Sequence, residues 1–280
     1  MTVTDFWPRG IQAGAAITVD LEAESVDHRE SALPLWGRRS HGRYAAQSGA
    51  FNLLAIFERL GVRATFFING WDALRYPTLM ERIASAGHEV AASGYLHEDF
   101  SGLTVEQQHG VLEKTEAAFA SVFGSRPAGF RAPDRLMTGE TRAVLAARGY
   151  AYDSGYSDDD IPYLVERIEA GAAQSRSLVE IPVQEPYSDR CYYEAHRTPQ
   201  VVRSALADLF DAAYDEGALF TLMISPRGDV GSGRGVRARM VESVIQRMQE
   251  RPYLWLTTCA DLADWMQRTR AATALPGASR

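Results

Sequence analysis

Apolar residues fall into short continuous runs, each followed by a stretch in which they recur with helical spacing. The runs are typical of strands buried on both faces of a parallel sheet, and the spaced stretches predict helices packed against it. The predicted strands are residues 14–20, 62–68, 88–92, 129–131, 151–153, 178–182, 219–224 and 253–257. The predicted helices are residues 49–60, 77–86, 104–123, 138–148, 199–216 and 237–251. This alternation predicts a parallel α/β sheet, and about eight such units predict a barrel.

Four long segments between these elements are predicted loops, at residues 21–48, 155–163, 184–198 and 227–235. Loops that follow strands carry the chemistry of parallel barrels, so the site is expected among them. We expect one domain over residues 1–280, with an irregular tail from about residue 267, where Ala, Thr, Gly and Ser are frequent.

Composition narrows the classes of partner. The 280 residues carry a net charge of −7, which argues against nucleic acid because phosphate binding needs a basic face. No apolar run approaches the roughly 18 residues of a membrane span, and the N-terminal residues lack the pattern of a secretory signal. The two cysteines, Cys191 and Cys259, form no metal motif. We therefore expect a cytoplasmic protein with a small-molecule substrate.

Two acids end the first predicted strand. Asp20 and Glu22 stand at positions i and i+2, so both side chains point to the same side if the strand continues. Such a pair can divide its roles between a base or metal ligand and an acid with a raised pKa. A solvated acidic loop is the alternative, since Glu24 and Asp27 follow.

The segment AASGYLHEDF resembles a metal site that lacks one ligand. His97 is followed by Glu98 and Asp99, and Ser93 stands four residues before it. A structural histidine is the alternative. Either Glu98 or Asp99 could compensate for the missing ligand.

Two further strand ends carry polar residues. Arg131 precedes Pro133 and could clamp a carboxylate, either that of a substrate or that of Asp20, with a structural ion pair as the alternative. The glycine-rich loop after Ser225 matches neither a P-loop nor a dinucleotide fingerprint. Neither Ser93 nor Ser225 lies in a nucleophile elbow, which disfavours a Ser-His-Asp hydrolase.

Taken together, seven segments resemble the polysaccharide deacetylase family, in its order, over about residues 7–265. The resemblance is closest to the cytoplasmic branch of cyclic imidases, metal-independent allantoinases and peptidoglycan-deacetylase-like proteins. It implies a distorted (β/α) barrel of seven or eight strands and suggests a homo-oligomer. The segments are WPRGIQAGAAITVDLEAE, GVRATFFING, AGHEVAASGYLHEDF, GFRAPDRLMTGET, YDSGYSDDDIPY, LVEIPVQEPY and FTLMISPRGDVGSGR.

The resemblance also implies roles for individual residues. Asp20 falls on the general base and Arg131 on the arginine that orients it. Glu22 and His97 fall on two ligands of a divalent metal, but Ser93 stands where the family has its first histidine. Ser225 stands where the family's last signature has a catalytic histidine. Two of the three expected histidines are therefore serines.

One carboxylate and one imidazole make a poor zinc site, since catalytic zinc has three protein ligands. We expect no cofactor, or a divalent metal bound weakly by Glu22 and His97. The predicted function is hydrolysis of a non-peptide C–N bond in a small amide, cyclic imide or ureide. Asp20 or Glu22 would activate water with help from His97 and Arg131, and backbone N–H groups of residues 225–228 would stabilise the oxyanion.

Substrate contacts are predicted mainly from aromatic loop residues, which favour a small, partly apolar ring over a polysaccharide. Two other functions stay open. One is a metal-free acid-base catalyst of elimination, isomerisation or cyclisation in biosynthesis; the other is an inactive binding protein on the same fold. The predicted contact residues are Trp36, Ser93, Tyr95, Pro133, Tyr156, Tyr187 and Tyr192.

Overall fold

The computed structural model describes residues 6–30, 37, 40–165 and 178–273. The strands in these ranges are β1 (Ala13–Leu21), β2 (Thr65–Ile68), β3 (Glu89–Ala92), β4 (Gly129–Phe130), β5 (Tyr152–Asp153), β6 (Tyr163–Leu164), β7 (Val179–Glu180), β8 (Leu219–Ile224) and β9 (Leu254–Thr257). They form a single sheet with the order β6-β7-β5-β4-β3-β2-β1-β8, and β9 pairs with the start of β1. All its strand pairs are parallel except β6 with β7.

The helices cover the outside of this sheet. Those predicted from apolar spacing are confirmed, with ends that differ by no more than two residues. A Thr104–Gln107 capping box opens α6, and a left-handed Gly61 closes α3. The helices are α1 (Glu24–Glu30), α2 (His41–Tyr44), α3 (Ala50–Leu60), α4 (Gly70–Arg75), α5 (Pro77–Ser85), α6 (Val105–Phe123), α7 (Gly139–Arg148), α8 (Asp189–Glu194), α9 (Pro199–Glu216), α10 (Gly235–Gln249) and α11 (Cys259–Thr273).

The two ends of the sheet meet through the segment after β7. Ser188 forms an isolated parallel bridge with Met223 of β8, and the Thr221 hydroxyl donates to the Pro182 carbonyl at 3.1 Å. The sheet therefore curls into the distorted (β/α) barrel that the sequence predicted.

Strand β1 pairs with β2, β8 and β9 and carries the first acids to the barrel mouth. Its residues are buried except Asp20, which keeps partial exposure near the carboxyl end. The small residues at its start leave room for an aromatic cluster below. A Cβ on Gly14 would lie 2.4 Å from the ring of Trp7, which stacks on Trp265.

Several helices occupy segments that were predicted as loops or as a tail. Helices α1 and α2 lie in the segment 21–48, and α8 lies in the segment 184–198. Helix α11 continues to Thr273, so the prediction of an irregular tail from about residue 267 is wrong as far as residue 273. Its Trp265 packs against Trp7 and Trp255, which anchors the helix on the barrel. None of the described helices is long and apolar enough to cross a membrane.

Candidate active site

The carboxyl ends of β1, β3, β4 and β8 surround one cavity of about 280 Å³. Parallel strands present their carboxyl ends at the same barrel face, which brings together residues far apart in sequence. The described residues that line the cavity are Asp20, Glu22, Ser93, Arg131, Ala132, Pro133, Asp134, Arg135, Glu185, Ser188, Asp189, Arg190, Glu194, Ile224 and Ser225. The candidates Asp20, Glu22, Ser93, Arg131, Pro133 and Ser225 are thus in one place.

Asp20 is held in place by a buried guanidinium. Arg131 Nη1 donates to Asp20 Oδ1 at 2.8 Å and to the Thr18 hydroxyl at 2.9 Å. Its Nε and Nη2 donate to the carbonyl and hydroxyl of Ser154, and the guanidinium lies 4.1 Å from the ring centroid of Phe67. Both residues line the cavity, but the Asp20 side chain is 29% exposed and that of Arg131 only 2%. The arrangement fixes one carboxylate with its second oxygen free for a ligand or water.

Glu22 and His97 form a buried pair. His97 Nε2 lies 3.2 Å from Glu22 Oε1, and Nδ1 lies 3.3 Å from Arg29 Nη1, which also donates to the His97 carbonyl. His97 adopts a left-handed backbone with φ 62°, an unfavourable conformation for a residue with a side chain. The preceding turn is closed by Glu98, which accepts the N–H groups of Tyr95 and Leu96.

Arg190 of α8 also contacts Glu22. The sequence did not predict this arginine as a site residue. Its Nη1 lies 3.1 Å from both carboxylate oxygens of Glu22 and 3.2 Å from Asp134 Oδ1. Its Nε donates to Glu194 at 2.7 Å. Glu22 therefore faces a guanidinium on one side and an imidazole on the other.

These contacts set the charge of the pair. Burial would raise the pKa of Glu22, but the His97 hydrogen bond and the charges of Arg190, His97 and Arg227 lower that pKa to about 2. Burial would lower the pKa of His97, but the hydrogen bond and charge of Glu22 raise it on balance. The charge of Glu22 also raises the pKa of Arg190. Glu22 is thus a carboxylate whose charge the protein itself neutralises.

Asp189 provides a second kind of carboxyl group in the cavity. It is fully buried and accepts the backbone N–H of Ser225 at 3.2 and 3.3 Å. Burial raises the pKa of Asp189 to about 7, and the nearby charge of Asp20 adds to the rise. Asp189 can therefore carry a proton near neutral pH.

The Ser225 loop does not form the predicted oxyanion site. The N–H of Ser225 is taken by Asp189, the N–H of Arg227 lies 3.3 Å from the Ser225 hydroxyl, and Pro226 has none. Of residues 225–228, only the N–H of Gly228 has no described partner. Within this segment, Gly228 alone offers a backbone N–H to a ligand.

Four tyrosines that the sequence predicts as substrate contacts do not line this cavity. Tyr95 packs beside Gly70, and Tyr156 lies under the guanidinium of Arg142 at 3.2 Å. The ring of Tyr187 contacts Phe220 at 4.6 Å, and the Tyr192 hydroxyl donates to the Pro186 carbonyl. Each tyrosine is thus engaged by packing, a cation–π contact or a hydrogen bond with a residue that does not line the cavity. Trp36 lies outside the described residues.

The residues that would hold a divalent metal are already engaged. Glu22, His97 and Asp134 place one ligand atom each within 4.8 Å of one another. However, Arg190 Nη1 contacts both oxygens of Glu22 and one of Asp134, and the Nε2 of His97 faces Glu22. Asp99 is used to cap the turn at Ser101. A metal would lie against a guanidinium that contacts the same oxygens, so the arrangement does not fit one.

The chain is similar to known proteins in sequence and in fold. Residues 44–152 match the polysaccharide deacetylase domain. The peptidoglycan deacetylase-like protein FGM2 of Gibberella zeae is 36% identical over 123 residues, covering 43% of this chain and 36% of that protein. The aligned part therefore spans little more than a third of that relative's length.

Two solved structures resemble the chain over nearly all of its length. The "putative polysaccharide deacetylase" of Mycobacterium smegmatis is 30% identical, with a TM-score of 0.83 over 94% of this chain and 93% of that one. PuuE allantoinase has a TM-score of 0.79 at 21% identity, with the same two coverages, which is a likeness of fold alone.

Proposed function

Because this chain belongs to the polysaccharide deacetylase family, we propose that it hydrolyses a non-peptide C–N bond of a small molecule, with Asp20 as general base. The observation that carries the proposal is the Asp20–Arg131 pair, in which a buried guanidinium fixes one carboxylate oxygen and leaves the other toward the cavity. A base that is oriented before the substrate arrives spends no free energy on positioning during the reaction.

The proposed reaction uses two carboxyl groups in different states. Asp20 takes a proton from water as the water oxygen bonds to the carbonyl carbon. When the C–N bond breaks, its electron pair stays on nitrogen, which receives a proton. Asp189 is the proposed donor of that proton, because it lines the same cavity and its burial raises its pKa to about 7. It would replace the histidine that the family has at Ser225.

The cavity supports a small and strongly polar substrate. Its described lining contains six acids, three arginines and no aromatic side chain, and its volume is about 280 Å³. Sugar polymers and apolar rings would lack a stacking surface on this wall. An amide, cyclic imide or ureide carries several N–H and C=O groups for such a wall to bind. We therefore propose a polar substrate of that class, in place of the partly apolar ring that the aromatic loop residues predict.

We propose that the reaction takes place in the cytoplasm and without a tightly bound metal. Both cysteines are free thiols, which fits a reducing compartment. The pairing of Glu22 with Arg190 supports catalysis by the protein's own charges.

The test is a substrate panel of cyclic imides, hydantoins, allantoin, small N-acetylated amines and chito-oligosaccharides. The products are identified by mass, with the Asp20→Asn variant run in parallel. Ring opening or deacylation with the addition of one water, lost in the variant, would support the proposal. Conversion without addition of water would instead indicate elimination, isomerisation or cyclisation. Ligand-induced stabilisation without turnover would indicate a binding protein.

A further inference from the structure

Arg190 is the residue on which three acids of the cavity converge. Its Nη1 contacts Glu22 and Asp134, and its Nε donates to Glu194. The Glu22 side chain is only 10% exposed, so its charge needs a partner inside the protein. Arg190 supplies that partner from a helix in the segment after β7.

The Arg190 guanidinium has N–H groups for which no acceptor is described. A guanidinium carries five N–H groups, one on Nε and two on each terminal nitrogen. Among the described residues, Nη1 and Nε account for the contacts with acids, and Nη2 donates to none. Because Arg190 lines the cavity together with Asp20, Nη2 is the donor left for a ligand.

Resting on the proposed hydrolysis, we propose that Arg190 is a catalytic residue whose Nη2 donates to the carbonyl oxygen of the substrate. As water adds to the carbonyl carbon, the C=O electron pair moves to oxygen, and the adjacent guanidinium stabilises that negative charge. Collapse of the intermediate returns the pair to the C=O bond and releases the protonated nitrogen. The fixed cation of Arg190 thereby provides electrostatic stabilisation that needs no reorganisation during the reaction.

Arg190 and a divalent metal would compete for the same carboxylate oxygens of Glu22. Zinc binds carboxylate oxygens at about 2.0–2.2 Å, so a metal on Glu22 would lie beside the guanidinium that contacts both of those oxygens. Two cations on one buried carboxylate repel each other. Removing the guanidinium and restoring a histidine at Ser93, four residues before His97, should therefore create a metal site.

The kinetic test compares Arg190→Gln and Arg190→Lys with Arg197→Gln, an exposed arginine just after α8. We expect kcat to fall about 10²–10³-fold in Arg190→Gln, as for the loss of an oxyanion donor, and to stay unchanged in the control. Lys keeps the charge but loses the planar fork, so its kcat should lie between the two. Added guanidinium ion should raise kcat in an Arg190→Ala variant, which a merely structural role would not produce. An unchanged kcat in Arg190→Gln overturns the proposal.

The metal test needs no substrate, so it remains informative if the proposed hydrolysis fails. Each protein is equilibrated with zinc and desalted, and zinc per chain is measured. We expect well under one zinc for the wild type and for Ser93→His, and about one for the Ser93→His/Arg190→Ala double variant. A full zinc equivalent retained by the desalted wild type would overturn the role of Arg190 as the cation at Glu22. Should Arg190→Ala not fold, Ser93→His/Arg190→Gln replaces it in this comparison.

Discussion

Nη1 of Arg131 lies 2.8 Å from Oδ1 of Asp20, and the other donors of that guanidinium are bound to Thr18 and Ser154 beneath the cavity. The arginine is buried to 2% exposure, whereas the carboxylate remains open to the cavity. Arg131 therefore links buried residues of the barrel core to the carboxylate that faces the cavity. Its two roles, holding the strands and aiming the base, can be separated by mutation.

Asp20→Asn should remove activity while leaving the fold intact. An amide has nearly the shape of the carboxylate and still accepts from Arg131, but it cannot take a proton from water. General-base catalysis contributes about 10²–10⁴-fold, so kcat should fall by that factor. The melting temperature should fall by less than in an Arg131 variant, because the amide still accepts from Arg131 but no longer balances the charge of that buried guanidinium. Full activity in this variant would remove Asp20 as the base.

Arg131→Met should destabilise the protein strongly. The variant leaves the Ser154 carbonyl and the Thr18 hydroxyl without their buried donor and removes the partner of Asp20. Breaking a buried pair costs about 3–5 kcal/mol, measurable as a lower urea midpoint. The matched control is Arg59→Met, whose exposed pair with Glu242 should contribute less than about 1 kcal/mol. Equal losses in both variants would contradict a special role for Arg131.

Asp189 should make both stability and rate depend on pH near neutrality. Because its folded pKa is raised to about 7, the folded protein holds this proton from about pH 4 to pH 7 while the unfolded chain has lost it. Its contribution to stability is full below about pH 4 and is lost as pH rises to 7. The rate should also fall above about pH 7, since the proposed proton donor is then ionised.

Asp189→Asn removes this titration. Between pH 5 and pH 8 the free energy of unfolding of the variant should gain about 2–3 kcal/mol relative to the wild type. The quantity to compare is the difference in the free energy of unfolding between the variant and the wild type at each pH. Burial raises the pKa of Asp72 to about 7 as well, so the stability of both proteins changes with pH for that reason too. Parallel stability curves for the two proteins would show that Asp189 is ionised in the fold.

The sequence predicted those site residues that adjoin strands. Asp20, Arg131 and Ser225 follow apolar runs whose ends define the barrel mouth, so their meeting in one cavity follows from the strand order. Arg190 and Asp189 come from a six-residue helix without apolar periodicity. Nothing local indicates that they turn inward, because their positions depend on the bridge between Ser188 and β8.

Two other features could not be predicted for similar reasons. Asp134 reaches the site through a left-handed backbone with φ 49°, which the tertiary structure imposes on the turn after Pro133. The sequence places the tyrosines in loops after strands, which does not indicate the direction of their rings. Their rings found partners such as Arg142 and Phe220, which are distant in sequence and visible only after folding.

Gly49→Ala should reduce activity although it lies outside the cavity lining. A Cβ at this position would be 2.0 Å from the carbonyl oxygen of Pro226, a backbone atom beside Ser225, so the loop must shift. A Cβ on Gly233 would lie 1.9 Å from the same carbonyl oxygen, so the backbone is closely packed around it. We expect kcat to fall at least about tenfold, because small displacements of catalytic groups cost up to about 10²-fold.

The matched control is Gly110→Ala in α6, where a Cβ meets nothing within 4 Å and should stabilise the helix by about 0.5–1 kcal/mol. Normal kinetics in Gly49→Ala would show that the Ser225 loop does not need its present position for turnover.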